Sequence, residues 1–266
     1  MENRGVEITL SGEIIRQKDF SWNASLLYAF NRNKVKHISV QPSLWDSRIS
    51  MPTSYPMVGK PLYGIYAYKW AGLNENGDPQ VYDAENNVTS GPARDYHALV
   101  YCGTTVPIHN ASLTNVLRYK GFEFSAMLIL DAGHKLRSSN IPSINMSNGR
   151  ITSTAKGIVD RWTQPGDVTD VPRLLFSNDT ENFNTHRTEL YRYSDLFVYD
   201  ASNIRLSNIS LAYRVPAHWC KKISLSGARL QFNVENVATF AFDSKANYDL
   251  GGKVNPNYVW GLYLNF

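Results

Sequence analysis

The chain has 266 residues, enough for one large domain or two small ones, with 43% apolar residues and a mean hydropathy of −0.33. No run approaches the roughly 18 apolar residues that a membrane-spanning helix needs, which excludes helical spanning and leaves spanning by strands open. The 27 basic and 23 acidic residues give a net charge of +4. This excess is small and scattered along the sequence, so composition gives no support to nucleic-acid binding.

Alternating apolar and polar residues predict two strands at the start of the chain, over residues 5–16 and 20–34, separated by a polar turn at 17–19. The second strand has aromatic residues at both ends of one face and aliphatic residues between them. That face consists of Phe20, Trp22, Ala24, Leu26, Tyr28 and Phe30. Aromatic ends around an aliphatic centre are typical of a strand that crosses a bilayer.

Residues 35–108 are rich in Pro, Gly, Asn and Asp, which predicts a long loop. Inside it, residues 64–71 and 79–83 flank an Asn-Gly turn and predict a hairpin. Two further strands, 109–120 and 122–137, are joined by a short turn at 120–121. A second long polar region, 132–198, overlaps the end of the latter strand.

The last three predicted strands span 203–215, 222–237 and 256–266, with a turn at 216–222 and a polar loop at 238–255. In the final strand, Tyr258, Trp260, Leu262, Leu264 and Phe266 share one face. Aromatic residues again stand at both ends of the apolar row. This strand therefore has the same membrane-crossing profile as residues 20–34.

Connection length alternates along the seven predicted strands. The short connections are 17–19, 120–121 and 216–222, and the long ones are 35–108, 132–198 and 238–255. Bacterial outer-membrane barrels have short periplasmic turns and long extracellular loops. The sequence therefore predicts an all-β, antiparallel, up-and-down transmembrane barrel segment whose long connections are extracellular. Seven is odd and below the minimum of eight strands for a single-chain barrel, so we expect part of a larger barrel.

Several stretches, in the same order along the chain, resemble one known family. They are MENRGVEI (1–8), DFSWNAS (19–25), GKPLYGIYAYKWAGL (59–73), YKGFEFS (119–125), DRW (160–162), NIRLSNISLAY (203–213), NVENVAT (233–239) and the terminal Phe266. The chain resembles, over essentially its whole length, the C-terminal barrel portion of SusC/RagA-type TonB-dependent outer-membrane transporters of Bacteroidota.

The resemblance implies about seven strands of a roughly 22-stranded barrel, with the family's plug and N-terminal domains absent from residues 1–266. It implies a place in the outer-membrane lipid and import of an oligosaccharide or peptide substrate. It also implies a SusD-like lipoprotein partner, and the TonB complex acting through the missing plug. The barrel-assembly machinery would read Phe266 as its signal.

Aromatic residues are the candidate functional side chains. On strand faces, Phe20, Trp22, Phe30, Tyr258 and Trp260 are expected to form a membrane-interface girdle. The aromatics in the predicted extracellular loops are Trp45, Tyr66, Tyr68, Trp70 and Trp162. Flat apolar rings with polar rims suit stacking on a sugar or contact with a partner, and the alternative is that they pack the loops against each other.

Motifs for chemistry are missing from the sequence. The six histidines show no metal-ligand spacing, and there is no nucleophile elbow or phosphate-binding glycine loop. We therefore expect no enzymatic activity, no metal and no cofactor. The alternative function is a soluble or surface-attached β-sandwich that binds carbohydrate, which would need the apolar strand faces buried between two sheets.

Overall fold

The computed structural model describes residues 1–39, 47–91, 95–147, 150–151, 156–176, 185–250 and 255–266. The strands are β1 Glu2–Arg16, β2 Phe20–Lys34, β3 Gly64–Tyr68, β4 Trp70–Leu73, β5 Pro79–Tyr82, β6 Val88–Thr89, β7 Leu99–Thr104, β8 His109–Tyr119, β9 Phe122–Ala132, β10 Lys135–Arg137, β11 Asn145–Ser147, β12 Arg150–Ile151, β13 Leu175–Phe176, β14 Val198–Asp200, β15 Asn203–Arg214, β16 Gly227–Ala241 and β17 Asn257–Asn265.

Helices are short. The α-helices are α1 Ser47–Ser50, α2 Thr185–Arg192 and α3 Ala217–Cys220, and 3₁₀ turns span Tyr96–Ala98, Lys156–Asp160, Asp195–Phe197, Lys221–Ile223 and Ser244–Ala246. Within the described ranges, no helix has the length and apolar character to cross a membrane.

Seven long strands form one sheet in the order β1-β2-β8-β9-β15-β16-β17. Each strand lies beside the long strand that precedes it in the chain, which is an up-and-down topology. Where the register is resolved the pairing is antiparallel and long: Phe20 lies opposite Tyr119, and Phe30 lies opposite His109. The predicted seven-stranded antiparallel sheet is confirmed.

Two predicted strand boundaries are each wrong by five residues, and local backbone chemistry explains both. The strand predicted over 122–137 ends at Ala132, because Gly133 has a left-handed φ of 78° and turns the chain. Residues 135–137 then form β10, which pairs with β14. The strand predicted to begin at 222 begins at Gly227, since helical turns occupy 217–223.

A β-bulge explains a change of parity within β15. Ile204 and Leu206 are even-numbered whereas Ile209 and Leu211 are odd-numbered, so strict alternation would place the two pairs on opposite faces. The register shifts between Leu206 and Asn208 against both neighbouring strands. The extra residue returns all four side chains to one face.

The chain divides into two compact units. The sheet unit comprises Arg4–Arg32, Pro107–His134 and Ala201–Phe266, and the loop unit comprises Met1–Asn3, Asn33–Val106 and Lys135–Asp200. The loop unit contains four small sheets of two or three strands, β3-β7, β4-β5-β6, β10-β14 and β12-β11-β13.

The hairpin predicted around Asn76-Gly77 is formed by β4 and β5, with Leu73 opposite Pro79. Its first arm is shorter than predicted, because residues 64–68 pair with β7 instead. The Asn74 side chain closes the turn by accepting hydrogen bonds from the backbone N–H groups of Asn76 at 3.0 Å and Asp78 at 2.9 Å. Gly77 supplies the left-handed φ of 73° that the turn requires.

Candidate functional site

One face of the seven-stranded sheet is predominantly apolar. Directly opposed residues of an antiparallel pair lie on the same face, so the register links Trp22, Leu117, Phe124, Leu211, Phe232 and Trp260 into a single row. The row after the next on this face is Leu26, Leu113, Leu128, Leu206 and Ala238. We call this surface the apolar face.

Strand β1 continues the apolar face. The Ser11 hydroxyl lies 2.7 Å from that of Ser25, which belongs to the opposite face of β2. Alternation then places Val6, Ile8 and Leu10 on the apolar side.

The apolar face is exposed rather than covered by protein. Trp260 is 78% exposed and Leu262 62%, and Leu211, Leu230 and Phe240 are also exposed. An ordinary water-soluble sheet buries such a row, because each fully buried Leu or Phe side chain contributes about 1.5–3 kcal/mol. The exposure predicts that something apolar other than the described residues covers this face.

Polar atoms at the two ends of the apolar face are paired. The Trp22 indole Nε1 donates to the Asn115 side-chain oxygen at 3.1 Å, so the one amide on this part of the face has a partner. At the other end of β2, the Tyr28 hydroxyl lies 2.8 Å from His109 Nδ1, and the Phe30 ring lies 5.3 Å from the His109 ring.

The five predicted girdle residues all lie on the apolar face, and their girdle role stays a prediction. Phe20 and Trp22 begin β2 and Phe30 lies near its end, so aromatic rings stand at both ends of that strand. Tyr258 lies opposite Val234, in the row that contains Ala24 on β2. Strands in a membrane barrel tilt by about 35–45°. Because of this tilt, a row of side chains that crosses β2 near its centre can reach the membrane interface at β17, on the other side of the sheet.

The terminal residue Phe266 is 93% exposed and follows directly after β17. Its main-chain oxygen lies 3.4 Å from the Ser226 hydroxyl, which can donate to it. The assembly role of the side chain stays a prediction.

The opposite face of the sheet, the polar face, is lined mainly by Ser, Asn, Thr and charged residues. Asp131 accepts from the Asn110 amide at 2.7 Å and from the Arg205 guanidinium at 2.8 Å, linking three neighbouring strands. Glu123 accepts from Arg118 Nε at 2.7 Å and from Arg229 Nη2 at 3.2 Å. Arg229 reaches Glu123 diagonally across β15, since Glu123 lies opposite the small Ala212 whereas Arg229 lies opposite Arg214.

A pocket of about 100 Å³ opens where these charges meet the short turn at 120–121. Its lining includes Arg118, Lys120, Arg214, Arg229 and Glu123, so four basic side chains surround one carboxylate. Both oxygens of that carboxylate are already used by two arginines. The pocket is therefore strongly cationic.

The predicted loop aromatics have different environments in the loop unit. Tyr66 is 1% exposed and Tyr68 0%, and both belong to a core with Val81, Leu99 and Leu190. Burial raises the pKa of Tyr66. Both rings are packed in the core of the loop unit, and their contact with a substrate or partner stays a prediction. Trp45 lies outside the described residues.

Trp70 and Trp162 are half-buried and join segments of the loop unit. The Trp70 indole donates to Asp170 at 2.9 Å, and its ring lies 5.9 Å from that of Tyr191. The Trp162 ring lies against the backbone of Gly77, where an added Cβ would stand 2.4 Å from the indole. Whether either ring also contacts a substrate or partner stays a prediction.

Two arginines, the half-buried Arg137 and the buried Arg187, hold the loop unit together, and sequence patterns do not reveal them. Arg137 Nη2 donates to the Tyr66 carbonyl at 2.6 Å, and Nη1 to the Arg192 and Ser194 carbonyls at 3.3 Å. Burial lowers the pKa of Arg137. The sequence does not predict this role, because an arginine that binds carbonyls far away in the chain produces no characteristic residue spacing.

The second of these arginines, Arg187, forms a charged cluster. Arg187, 3% exposed, donates to Asp78 at 2.7 Å, to the Ile144 carbonyl at 3.3 Å and to the Arg173 carbonyl. Arg173 forms two further hydrogen bonds with Asp78. Burial lowers the pKa of Arg187, and the hydrogen bond with Asp78 opposes that shift.

Among the described residues, no group of three or more His, Cys, Asp or Glu side chains is arranged to hold a metal ion. Both cysteines are free thiols. Burial raises the pKa of the Cys102 thiol to about 11, which opposes formation of the reactive thiolate.

No family model matches the chain. It is 25% identical over 283 residues to TonB-dependent receptor P3 of Formosa agariphila, covering 98% of this chain and 27% of that receptor. It is 22% identical over 249 residues to TonB-dependent receptor SusC of Bacteroides thetaiotaomicron, covering 89% of this chain and 23% of SusC.

Solved structures of the RagAB peptide transporter superpose on 99% of this chain. One gives a TM-score of 0.74 at 21% identity and covers 29% of the solved chain, and the open-open state gives 0.71. The chain resembles part of a SusC/RagA-type TonB-dependent receptor. It spans about a quarter of the length of the curated relatives it matches.

The likeness to these TonB-dependent receptors confirms the fold class. The long strands form an open segment of an antiparallel, barrel-like wall, since among the described strands β1 and β17 are each paired on one side. The relatives are named as receptors and transporters rather than enzymes.

Proposed function

We propose that the chain is a C-terminal part of the barrel wall of an outer-membrane receptor for active nutrient import. In this proposal the apolar face meets the hydrocarbon of the outer membrane and the polar face lines the lumen. The short turns lie on the periplasmic side. The long connections, 35–108 and 132–198, are extracellular.

The observation that supports the proposal most is the exposed apolar face, continuous across the long strands. A water-soluble sandwich would need a second sheet of comparable size over that face. The other described sheets have only two or three strands each. The aromatic and aliphatic order along β2 adds the profile of a membrane-crossing strand.

The proposed import role is based on the names of the relatives. Curated relatives are named TonB-dependent receptors, and the solved neighbours are named a peptide importer. By extension, the full receptor takes up an oligosaccharide or a peptide with a SusD-like lipoprotein, energised by the TonB complex. This chain would supply wall and extracellular loops, with Phe266 recognised by the barrel-assembly machinery.

In the loops, the aromatic side chains that can contact a substrate or partner are then the half-exposed ones. Trp70 and Trp162 keep part of their surface open, and each also has a packing role that a test must separate. Trp162→Phe in the full-length receptor should preserve most of the packing against Gly77. If the ring contacts substrate, uptake should fall while the amount of receptor at the surface stays constant.

The chain's need for detergent tests the proposal against the sandwich alternative. We expect the purified chain to aggregate in buffer and to become monodisperse and β-rich only with detergent or lipid. A chain that stays monodisperse in buffer without detergent would contradict the barrel-wall proposal and favour the carbohydrate-binding sandwich.

Assembly is tested in the full-length parent receptor. Deletion of Phe266 should lower the amount of receptor in the outer membrane, measured by surface labelling. Unchanged surface levels would remove the assembly role from this residue.

A further inference from the structure

The chain's positive charge is concentrated at one end of the sheet unit, although it looks scattered along the sequence. We define the short-turn end as residues 13–22, 116–125 and 212–231, which contain the three short connections and the strand residues beside them. These ranges hold eight basic and three acidic residues, a net charge of +5 against +4 for the whole chain. The rest of the chain is therefore close to neutral.

The third short turn is the most basic part of this end. Residues 212–231 contain Arg214, Lys221, Lys222 and Arg229 and no acidic residue. Both lysines are exposed, and neither shares a described ion pair. A compact run of unpaired lysines is attracted to an anionic surface.

The same turn projects apolar side chains from a fixed base. Helix α3 and the 3₁₀ turn Lys221–Ile223 are held by Cys220, 1% exposed, and Leu225, 8% exposed. Trp219 is 54% exposed and Ile223 68%. With Cys220 and Leu225 buried beneath the turn, the Trp219 indole and the Ile223 side chain are left exposed beside the two lysines.

The strands fix how far this turn lies beyond the end of the apolar face. Tyr119, Phe122 and Tyr213 lie opposite one another in the row nearest the short turns. The Lys120 ammonium lies 5.3 Å from the centre of the Tyr119 ring. If that aromatic row marks the edge of the hydrocarbon, the lysines beyond it lie at the depth of the lipid headgroups.

We propose that the short turn at 216–225, with Lys120, binds the headgroups of anionic phospholipids. Lys120, Lys221 and Lys222 pair with lipid phosphates, and Trp219 and Ile223 enter the boundary between headgroups and acyl chains. This inference rests on the proposed function, because it needs the apolar face to lie in a bilayer. It adds a lipid preference and names the residues that produce it.

Charge decides in favour of an anionic lipid over a zwitterionic one. With no carboxylate within residues 212–231, nothing in that segment pairs with the choline or ethanolamine group of a neutral lipid. Each lysine near an anionic surface favours binding by about fivefold. Arg118 and Arg229 add less, since both are paired with Glu123 on the polar face.

Tryptophan quenching by brominated lipid tests the inference on the whole chain. The chain is reconstituted in phosphatidylcholine bilayers that contain brominated phosphatidylglycerol or brominated phosphatidylcholine at the same mole fraction. The signal of Trp219 is the difference between the chain and its Trp219→Phe variant. We expect brominated phosphatidylglycerol to quench Trp219 at an at least fivefold lower mole fraction than brominated phosphatidylcholine.

A charge variant and a matched control locate the effect. Lys120→Gln/Lys221→Gln/Lys222→Gln should abolish the difference between the two lipids. Lys34→Gln/Lys36→Gln, which removes exposed lysines outside the short-turn end, should leave it unchanged. Equal quenching by the two lipids in the unmodified chain, or a preference that survives the triple substitution, would overturn the inference. So would a Trp219 that neither lipid quenches.

The same samples separate failure of this inference from failure of the proposed function. Trp22 and Trp260 lie on the apolar face, and Trp22→Phe and Trp260→Phe variants isolate their signals. If both lipids quench them while Trp219 shows no preference, the wall proposal stands and the headgroup site is wrong. If neither lipid quenches them, the wall proposal itself fails.

Discussion

The two units of this chain place their apolar residues in opposite ways. In the loop unit, Tyr66, Tyr68, Val81 and Leu190 are buried, and Arg187 is buried with them because Asp78 and main-chain carbonyls satisfy it. In the sheet unit, rows of Leu, Phe and Trp are exposed or half-exposed, while the other face carries mainly polar residues such as Ser and Asn. One sequence thus follows two burial rules, as the barrel-wall proposal requires: water would surround the loop unit and lipid would cover one face of the sheet.

The largest expected effect is on the loop unit. Arg187→Met removes the donor to Asp78 and to two carbonyls and should destabilise that unit by about 3–5 kcal/mol, as breaking a buried ion pair does. Hydrogen exchange of peptides from 64–82 and 185–192 should show the loss of protection. Arg192→Met, at an exposed position, is the control and should change protection little. Equal effects of the two variants would mean that the buried cluster does not stabilise the unit.

Two neighbouring positions of β9 test which face of the sheet meets lipid. Leu128 lies at the centre of the apolar face, and Met127 lies opposite Thr114 and Asn208 on the polar face. Leu128→Arg should cost about 2–4 kcal/mol, the penalty for arginine near the bilayer midplane. Met127→Arg should be tolerated. Urea unfolding of the chain folded in lipid vesicles measures both, and a larger loss for Met127→Arg would reverse our assignment of the faces.

A smaller effect is expected at the hairpin turn of the loop unit. Gly77→Ala places a methyl group against the Trp162 ring and forces alanine to a φ of 73°, so about 1–3 kcal/mol of local stability should be lost. Gly166→Ala is matched, since that residue also has a positive φ, of 99°, but has no atom within 4 Å of the added Cβ. Hydrogen exchange over 70–82 should show a greater loss for Gly77→Ala. Identical losses would mean that the ring contact contributes nothing.

The smallest structural perturbation is a thiol label in the loop unit. Because burial raises the pKa of Cys102 to about 11, its thiolate fraction should rise about tenfold for each pH unit from 8 to 10, and its reaction rate with a thiol reagent should rise with it. The measurement uses the Cys220→Ala variant, in which Cys102 is the remaining cysteine. A rate that levels off near pH 9 would show that the thiol is not desolvated.

The same contrast between the units explains how much the sequence predicts. Period-two alternation predicts the sheet, because each strand has one apolar and one polar face, and it also places Phe20, Trp22 and Trp260 on the apolar side. It fails at Gly133 and at 217–223, where turn geometry ends or delays a strand. The bulge beside Leu206 is visible in the sequence as a change from even-numbered to odd-numbered apolar residues, which a strict period of two does not allow for.

The loop unit is less predictable for a physical reason. Its stability depends on contacts such as Arg137 with the Tyr66 carbonyl and Arg173 with Asp78, which join residues 71 and 95 positions apart. Such contacts leave no local pattern. Aromatic composition alone could therefore not separate the buried Tyr66 and Tyr68 from the half-exposed Trp70 and Trp162. The charge at the short-turn end was missed because three separate turns contribute to it.

Spin-label accessibility along β2 tests the central claim most directly. Single cysteines at positions 23–28, in a Cys102→Ser/Cys220→Ala background, are labelled in lipid bilayers, and collisions with oxygen and with a water-soluble nickel chelate are measured. We predict high oxygen and low nickel accessibility at 24, 26 and 28, and the reverse at 23, 25 and 27. Position 27 decides, since Leu27 is apolar yet lies on the polar face. Nickel access at 24 and 26, or no alternation, would contradict a pore wall with its apolar face in lipid.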